Sequence, residues 1–122
     1  HYQQLFKKYG LTNVFLITPH TSDDRIRKID SYTESFIYVV ASSSITGAKG
    51  EISAQQIDYF ERINSINLKI KLIIGFGISD NKTFTTACHY ANGAIIGSAF
   101  IKNLANNGVE SISDFIKSIK ES

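Results

Sequence analysis

Two apolar runs in this chain stop at glycine and lead at once into helix-like sequence. The first is Ile73-Ile74-Gly75-Phe76-Gly77-Ile78-Ser79 and the second is Ala94-Ile95-Ile96-Gly97-Ser98-Ala99. Glycine bares backbone N–H groups where a side chain would otherwise stand, and the first turn of a helix attracts anions. Two such ends side by side make a phosphate seat. Glycine also punctuates ordinary strand-to-helix turns, so Gly75, Gly77 and Gly97 admit that plainer reading. Ser98, directly after Gly97 with a helix starting at once, favours the anion seat.

The remaining elements follow in an alternating order. Leu5, Phe6 and Tyr9 recur at helical spacing before Gly10, a suitable residue to end a helix. Residues 13–18 form a short apolar run ended by Pro19, and residues 36–41 form a second, as strands buried on both faces do. Between them Thr21 and Asp24 suggest a weak capping box for a helix striped by Ile26 and Ile29. Residues 42–51 are small and polar with two glycines, a loop long enough to move. Ser53 then caps a helix with Ile57, Phe60, Ile63 or Asn64, and Ile66 on its apolar side. Residues 70–74 make the third strand. Ser79 is expected to cap a helix striped by Phe84, Ala87, Cys88 and Ala91 and closed by Gly93. Residues 94–96 are the fourth strand, followed by a short extra helix over 99–106 and an amphipathic helix from Ser111 carrying Ile112, Phe115, Ile116 and Ile119.

Strands alternating with helices mean a parallel sheet whose active face lies at the strand C-termini. Four such units fit either an open doubly wound sheet or half of a (β/α)8 barrel, which needs about 250 residues whole. In barrels the phosphate site is frequently built after strands 7 and 8 with a short extra helix, the pattern of the two glycine-ended runs here.

The 122 residues suit a single domain, and 43% hydrophobic with 20% charged residues describe an ordinary globular chain. Thirteen basic and eleven acidic residues, formal net charge +2, are spread without a basic block, which argues against a nucleic-acid partner. No apolar run approaches the ~20 residues of a membrane span, and the first residues lack a signal-peptide pattern. A cytoplasmic, membrane-free chain is expected. The lone Cys88 cannot form an internal disulfide, argues against a metal site, and on its apolar stripe reads as a buried small hydrophobe. The opening at His1, without methionine and inside helix-like sequence, suggests a fragment or a processed chain.

The motifs separate the two architectures. Tyr38-Val39-Val40, Ile45-Thr46-Gly47-Ala48, Gly75-Phe76-Gly77-Ile78-Ser79 and Gly97-Ser98-Ala99, in this order and spacing, resemble the C-terminal half of the tryptophan synthase α subunit. The likeness runs over nearly the whole chain, from the helix before barrel strand 5 to the C-terminus. It implies the last four βα units of a (β/α)8 TIM barrel, residues 1–122 forming one half-barrel of parallel strands. It further implies a cytoplasmic lyase of tryptophan biosynthesis that cleaves indole-3-glycerol phosphate to indole and glyceraldehyde 3-phosphate. Such a subunit passes indole to a β subunit in an α2β2 complex, and the pyridoxal phosphate belongs to that partner, with no cofactor in this chain.

Matched position by position, the resemblance implies that Gly47, Gly77, Gly97 and Ser98 bind the substrate phosphate. Tyr38, Phe76 and Ile95, with Ile17 as a fourth, line the indole pocket, and Thr46 helps close the loop over substrate. Ser43 stands where the family usually has arginine, and His20 where proline or threonine is usual. The cleavage needs two carboxylates, one to move protons and one to stabilise charge developing on the indole nitrogen. The resemblance puts both in the N-terminal half. Asp23, Asp24, Asp58, Glu61, Asp114 and Glu121 fall on predicted helices, so no catalytic residue is assigned and the isolated chain is expected to be inactive. His20 at the active face has no visible partner for acid–base work. The half-barrel would leave strand edges unpaired and an inner face uncovered, which favours self-association. The second reading is a stand-alone phosphate-sugar or nucleotide-binding module with an open doubly wound sheet, and strand order distinguishes the two.

Overall fold

A computed structural model describes residues 2–41, 52–75 and 77–121. In chain order the elements are α1 (Tyr2–Lys8), β1 (Phe15–Ile17), α2 (Asp23–Tyr32), β2 (Phe36–Val40), α3 (Ala54–Ser65), β3 (Lys71–Gly75), α4 (Asn81–Tyr90), β4 (Gly93–Ile95), α5 (Ser98–Asn107), a 3-10 turn (Val109–Ser111) and α6 (Ile112–Lys120). The four strands are parallel and lie in the order β1-β2-β3-β4. No reversal of order occurs in this sheet, which disfavours the doubly wound alternative. This is the sequential topology of half a (β/α)8 barrel.

The register sorts the side chains onto two faces, because paired positions in neighbouring strands share a face and successive residues alternate. Ile17, Val39 and Ile74 are aligned across β1, β2 and β3, as are Phe15, Ile37 and Leu72. These residues meet Ile26 and Ile29 of α2, Tyr59, Phe60 and Ile63 of α3, and Ala87 of α4 in one continuous core. Helices α2, α3 and α4 therefore cover the same side of the sheet. The other face carries Leu16 beside Tyr38 and Ile73, then Gly75 beside Ile95. Leu16 keeps 59% of its surface exposed there.

Side chains fasten the helices to the strands. The Asp30 carboxylate of α2 accepts from the backbone N–H groups of Lys69 at 3.3 Å and Ile70 at 3.0 Å, holding the entry to β3. The Asn92 side-chain oxygen accepts from Leu72 N–H at 2.9 Å, and Asn92 N–H donates to the Leu72 carbonyl, which sets β4 beside β3. Asn81 of α4 donates to the Ile119 carbonyl, tying down the last helix through its buried residue.

Several boundaries differ from the sequence expectation. β1 spans only Phe15–Ile17, and β4 starts at Gly93, which opens the strand instead of closing the preceding helix. Ser22, not Thr21, caps α2 by accepting from Arg25 N–H; Thr21 bonds back to Thr18 in the turn. Asp80, not Ser79, caps α4. The last helix is preceded by a 3-10 turn that ends at Ser111. Ser53 caps α3 as the sequence indicates. Cys88 is exposed, because α4 turns Thr83 and Ala87 fully inward and the stripe runs beside Cys88 rather than through it.

Candidate functional site: a cleft at the strand C-termini

The C-terminal ends of β2, β3 and β4 enclose a cleft of ≈ 350 Å³ lined by Tyr38, Gly77, Ile78, Ser79, Ile95, Gly97, Ser98 and Ala99. Of the sequence candidates it brings together Tyr38, Gly77, Ile95, Gly97 and Ser98. Gly47 and Thr46, as well as Ser43 in the same loop and Phe76, lie outside the described residues.

The two glycine-ended strands finish differently. After β3 the chain turns through Gly77 at φ 74°, a left-handed conformation that disfavours any residue with a Cβ. The helix that follows is closed by its own acid. The Asp80 carboxylate accepts from Thr83 N–H at 2.8 Å, and the Thr83 hydroxyl accepts from Asp80 N–H at 3.1 Å. The Thr83 N–H bond foremost, and next the bond that the Thr83 hydroxyl donates to Asp80 Oδ1 at 2.7 Å, hold the Asp80 carboxyl below the usual carboxylate range. The N-terminus of α4 therefore has its acceptor already and repels a second anion.

After β4 the end is open. Gly97 stands at the N-cap of α5, and among the described residues no side chain caps the first turn. The first N–H groups of an α-helix have no partner inside the helix, so those of Ser98 and Ala99 face the cleft together with the positive end of the helix dipole. An anion there gains about 0.3–1 kcal/mol from the dipole, beyond its hydrogen bonds. Of the two glycine-ended strands, only the second thus leads into a helix whose N-cap carries no side-chain bond, with the Gly77 turn beside it in the cleft lining.

The apolar wall depends on a close approach. A Cβ built on Gly75 would lie 2.0 Å from the Tyr38 hydroxyl oxygen and 2.2 Å from its ring carbon Cζ. Tyr38 therefore lies across the neighbouring strand in space that exists only because residue 75 is glycine. Ile17 is not part of this wall. It aligns with Val39 on the opposite face, fully buried against the helices, and its carbonyl accepts from the Tyr59 hydroxyl at 3.2 Å. Leu16, paired with Tyr38, occupies the corresponding position on the inner face. Two-residue alternation along β1 was the signal that could have found it.

The acids stand where helical spacing places them: Asp23 and Asp24 in α2, Asp58 and Glu61 in α3, Asp114 in α6, and Glu121 at its end. His20 is exposed in the turn after β1, its N–H donating to Thr18 Oγ1. Among the described residues no group of three or more His, Cys, Asp or Glu is placed to hold a metal ion, and no helix is long and apolar enough to cross a membrane.

Comparison with known proteins agrees with this geometry. The sequence profile of the family described as "Tryptophan synthase alpha chain" matches residues 1–121. The tryptophan synthase alpha chain of Flavobacterium psychrophilum is 56% identical over 119 residues, taking in 98% of this chain and 47% of that relative. That of Christiangramia forsetii is 52% identical, taking in 98% and 46%. The chain thus spans about half the length of the curated relatives it matches. A solved chain described under the mutual activation of the tryptophan synthase a2b2 complex from Pyrococcus furiosus superposes with a TM-score of 0.81 at 30% identity, covering 97% of this chain and 49% of that one. A chain from Aquifex aeolicus VF5 shares the fold, with a TM-score of 0.78 at 22% identity, covering 98% and 44%.

Proposed function

The chain belongs to the tryptophan synthase alpha chain family, and from that membership we propose that it supplies the phosphate seat and part of the indole pocket for cleaving indole-3-glycerol phosphate. The products are indole and glyceraldehyde 3-phosphate. The observation that carries this reading is one cleft lined both by the uncapped helix N-terminus at Gly97-Ser98 and by the apolar and aromatic side chains of Tyr38 and Ile95. A bicyclic aromatic joined to a phosphate by a three-carbon linker matches both at once. The phosphate is held by the α5 first turn and the Gly77 backbone, while the indole ring lies against Tyr38, Ile95 and Leu16. Gly47 and Thr46 complete the phosphate contacts and the closure in this reading, and Phe76 a further part of the ring pocket.

Cleavage also needs a proton-moving carboxylate and one near the indole nitrogen. This reading draws both from outside residues 1–122, since Asp23, Asp24, Asp58, Glu61 and Asp114 stand on helices. Indole then passes to a β subunit, the partner that holds pyridoxal phosphate; the Pyrococcus furiosus relative is described in an a2b2 complex. The 122-residue chain purified by itself should bind indole-3-glycerol phosphate without releasing indole. Indole release above the background of a Gly97→Asp variant would place the chemistry within these residues and overturn that division.

A further inference from the structure

Helix α3 grips the turn that leaves β1 at four successive points. The Tyr59 hydroxyl donates to the Ile17 carbonyl at 3.2 Å. One turn further along the helix, Arg62 donates from Nη2 to the Pro19 carbonyl at 3.1 Å, and from Nη1 to the Thr21 carbonyl at 3.1 Å and to Asp23 Oδ1 at 2.7 Å. Its guanidinium lies 5.8 Å from the Tyr59 ring centre, which orients the fork. A planar guanidinium can satisfy acceptors fanned out in this way, and a lysine ammonium cannot. The turn closes on itself as well, with Thr21 N–H donating to the Thr18 carbonyl at 3.0 Å and Thr18 N–H to Thr21 Oγ1 at 2.9 Å. It lies at the C-terminal end of the sheet, the end that carries the cleft, beside the exit of β2.

We propose that Arg62 is a positioning residue, which locks the β1–α2 turn (residues 18–22) to α3 at the end of the sheet that carries the cleft, and so steadies the strand ends on which the cleft is built. Tyr59 anchors the start of the turn and Arg62 the rest, so turn and helix act as one body. The consequence for substrate rests on the function proposed above. Arg62 touches no reacting group, so its loss weakens binding and leaves the chemical step alone.

The test is made in an alpha chain carrying these residues, comparing Arg62→Met, which retains a stem over Tyr59 but no donor, with Arg62→Lys. Amide hydrogen exchange at His20 and Thr21 is expected to rise about tenfold or more in Arg62→Met, with Ile57 in the first turn of α3 unchanged. The KM for indole-3-glycerol phosphate is expected to rise about tenfold with kcat within about twofold, and Arg62→Lys to recover only part of the loss. Unchanged exchange at His20 and Thr21 would overturn the proposal. So would a lowered melting temperature with unchanged KM, which is what a purely structural residue produces. Absence of turnover in the unsubstituted protein would sink the function reading alone, and the exchange measurement still decides what Arg62 does.

Discussion

At the scale of single residues, the site depends on a side chain that is absent. Tyr38 occupies the volume where a Cβ at position 75 would stand, and the overlap runs from its hydroxyl into the ring. Gly75→Ala should therefore displace Tyr38 or the strand and cost about 1–3 kcal/mol. The same substitution in a Tyr38→Ala background should cost much less, because the overlap is gone. A double-mutant cycle in urea measures the coupling, and additive effects would mean that Tyr38 does not press on Gly75. The tyrosine and the glycine are each visible in the sequence, but their contact is not, since it depends on the register between β2 and β3. The same limit explains Ile17 and Leu16. The apolar run around them reads as buried throughout, and only pairing with β2 shows which residue faces the helices and which shares the Tyr38 face of the sheet.

At the scale of elements, the helices after β3 and β4 differ at their caps. Asp80 closes α4 with Thr83, and Asp80→Ala should cost about 1 kcal/mol. The Asp80 carboxyl is held below its ordinary range by the Thr83 hydrogen bonds. Its charge-dependent contribution is therefore complete above the unfolded-state value near pH 4 and is lost as pH falls through the lower folded-state value. The stability gap between the unsubstituted chain and Asp80→Ala should shrink as pH drops below about 4, read by thermal melts across pH 2–7. A gap that widens in acid would contradict the assignment.

The order of strands and helices, the Ser53 cap and the open Gly97 end are all legible from spacing alone. The Asp80 cap is less so, because Ser79 and Asp80 are both good capping residues and Thr83 takes a role usually filled by Glu or Gln. On α3 the buried stripe runs through Gln56, Tyr59, Phe60 and Ile63. A polar Gln at its start hid that phase from a hydrophobic pattern. Cys88 misled in the opposite sense, an apolar residue one helical step off the buried line.

At the scale of the whole molecule, β1 and β4 are the outer strands of the sheet described, and the inner face carries Leu16, Tyr38, Ile73 and Ile95. Exposed strand edges beside an apolar face promote association. The 122-residue chain should therefore self-associate, and Leu16→Glu should raise its monomer fraction in sedimentation velocity runs. A chain that is monomeric without the substitution would contradict this.

The phosphate seat proposed at the α5 terminus is tested by closing it. Among the described residues a Cβ on Gly97 would meet nothing within 4 Å, and its φ of −112° is outside the left-handed region. Gly97→Asp would place a carboxylate over the first turn of α5, supplying a cap and occupying the anion site. The decisive measurement is a titration with glycerol 3-phosphate followed by amide chemical shifts. The shifts should concentrate on Gly77, Ser98 and Ala99, and vanish in Gly97→Asp while the protein stays folded. Shifts that avoid these amides, or that survive Gly97→Asp, would contradict the assignment of the open α5 terminus as the phosphate seat.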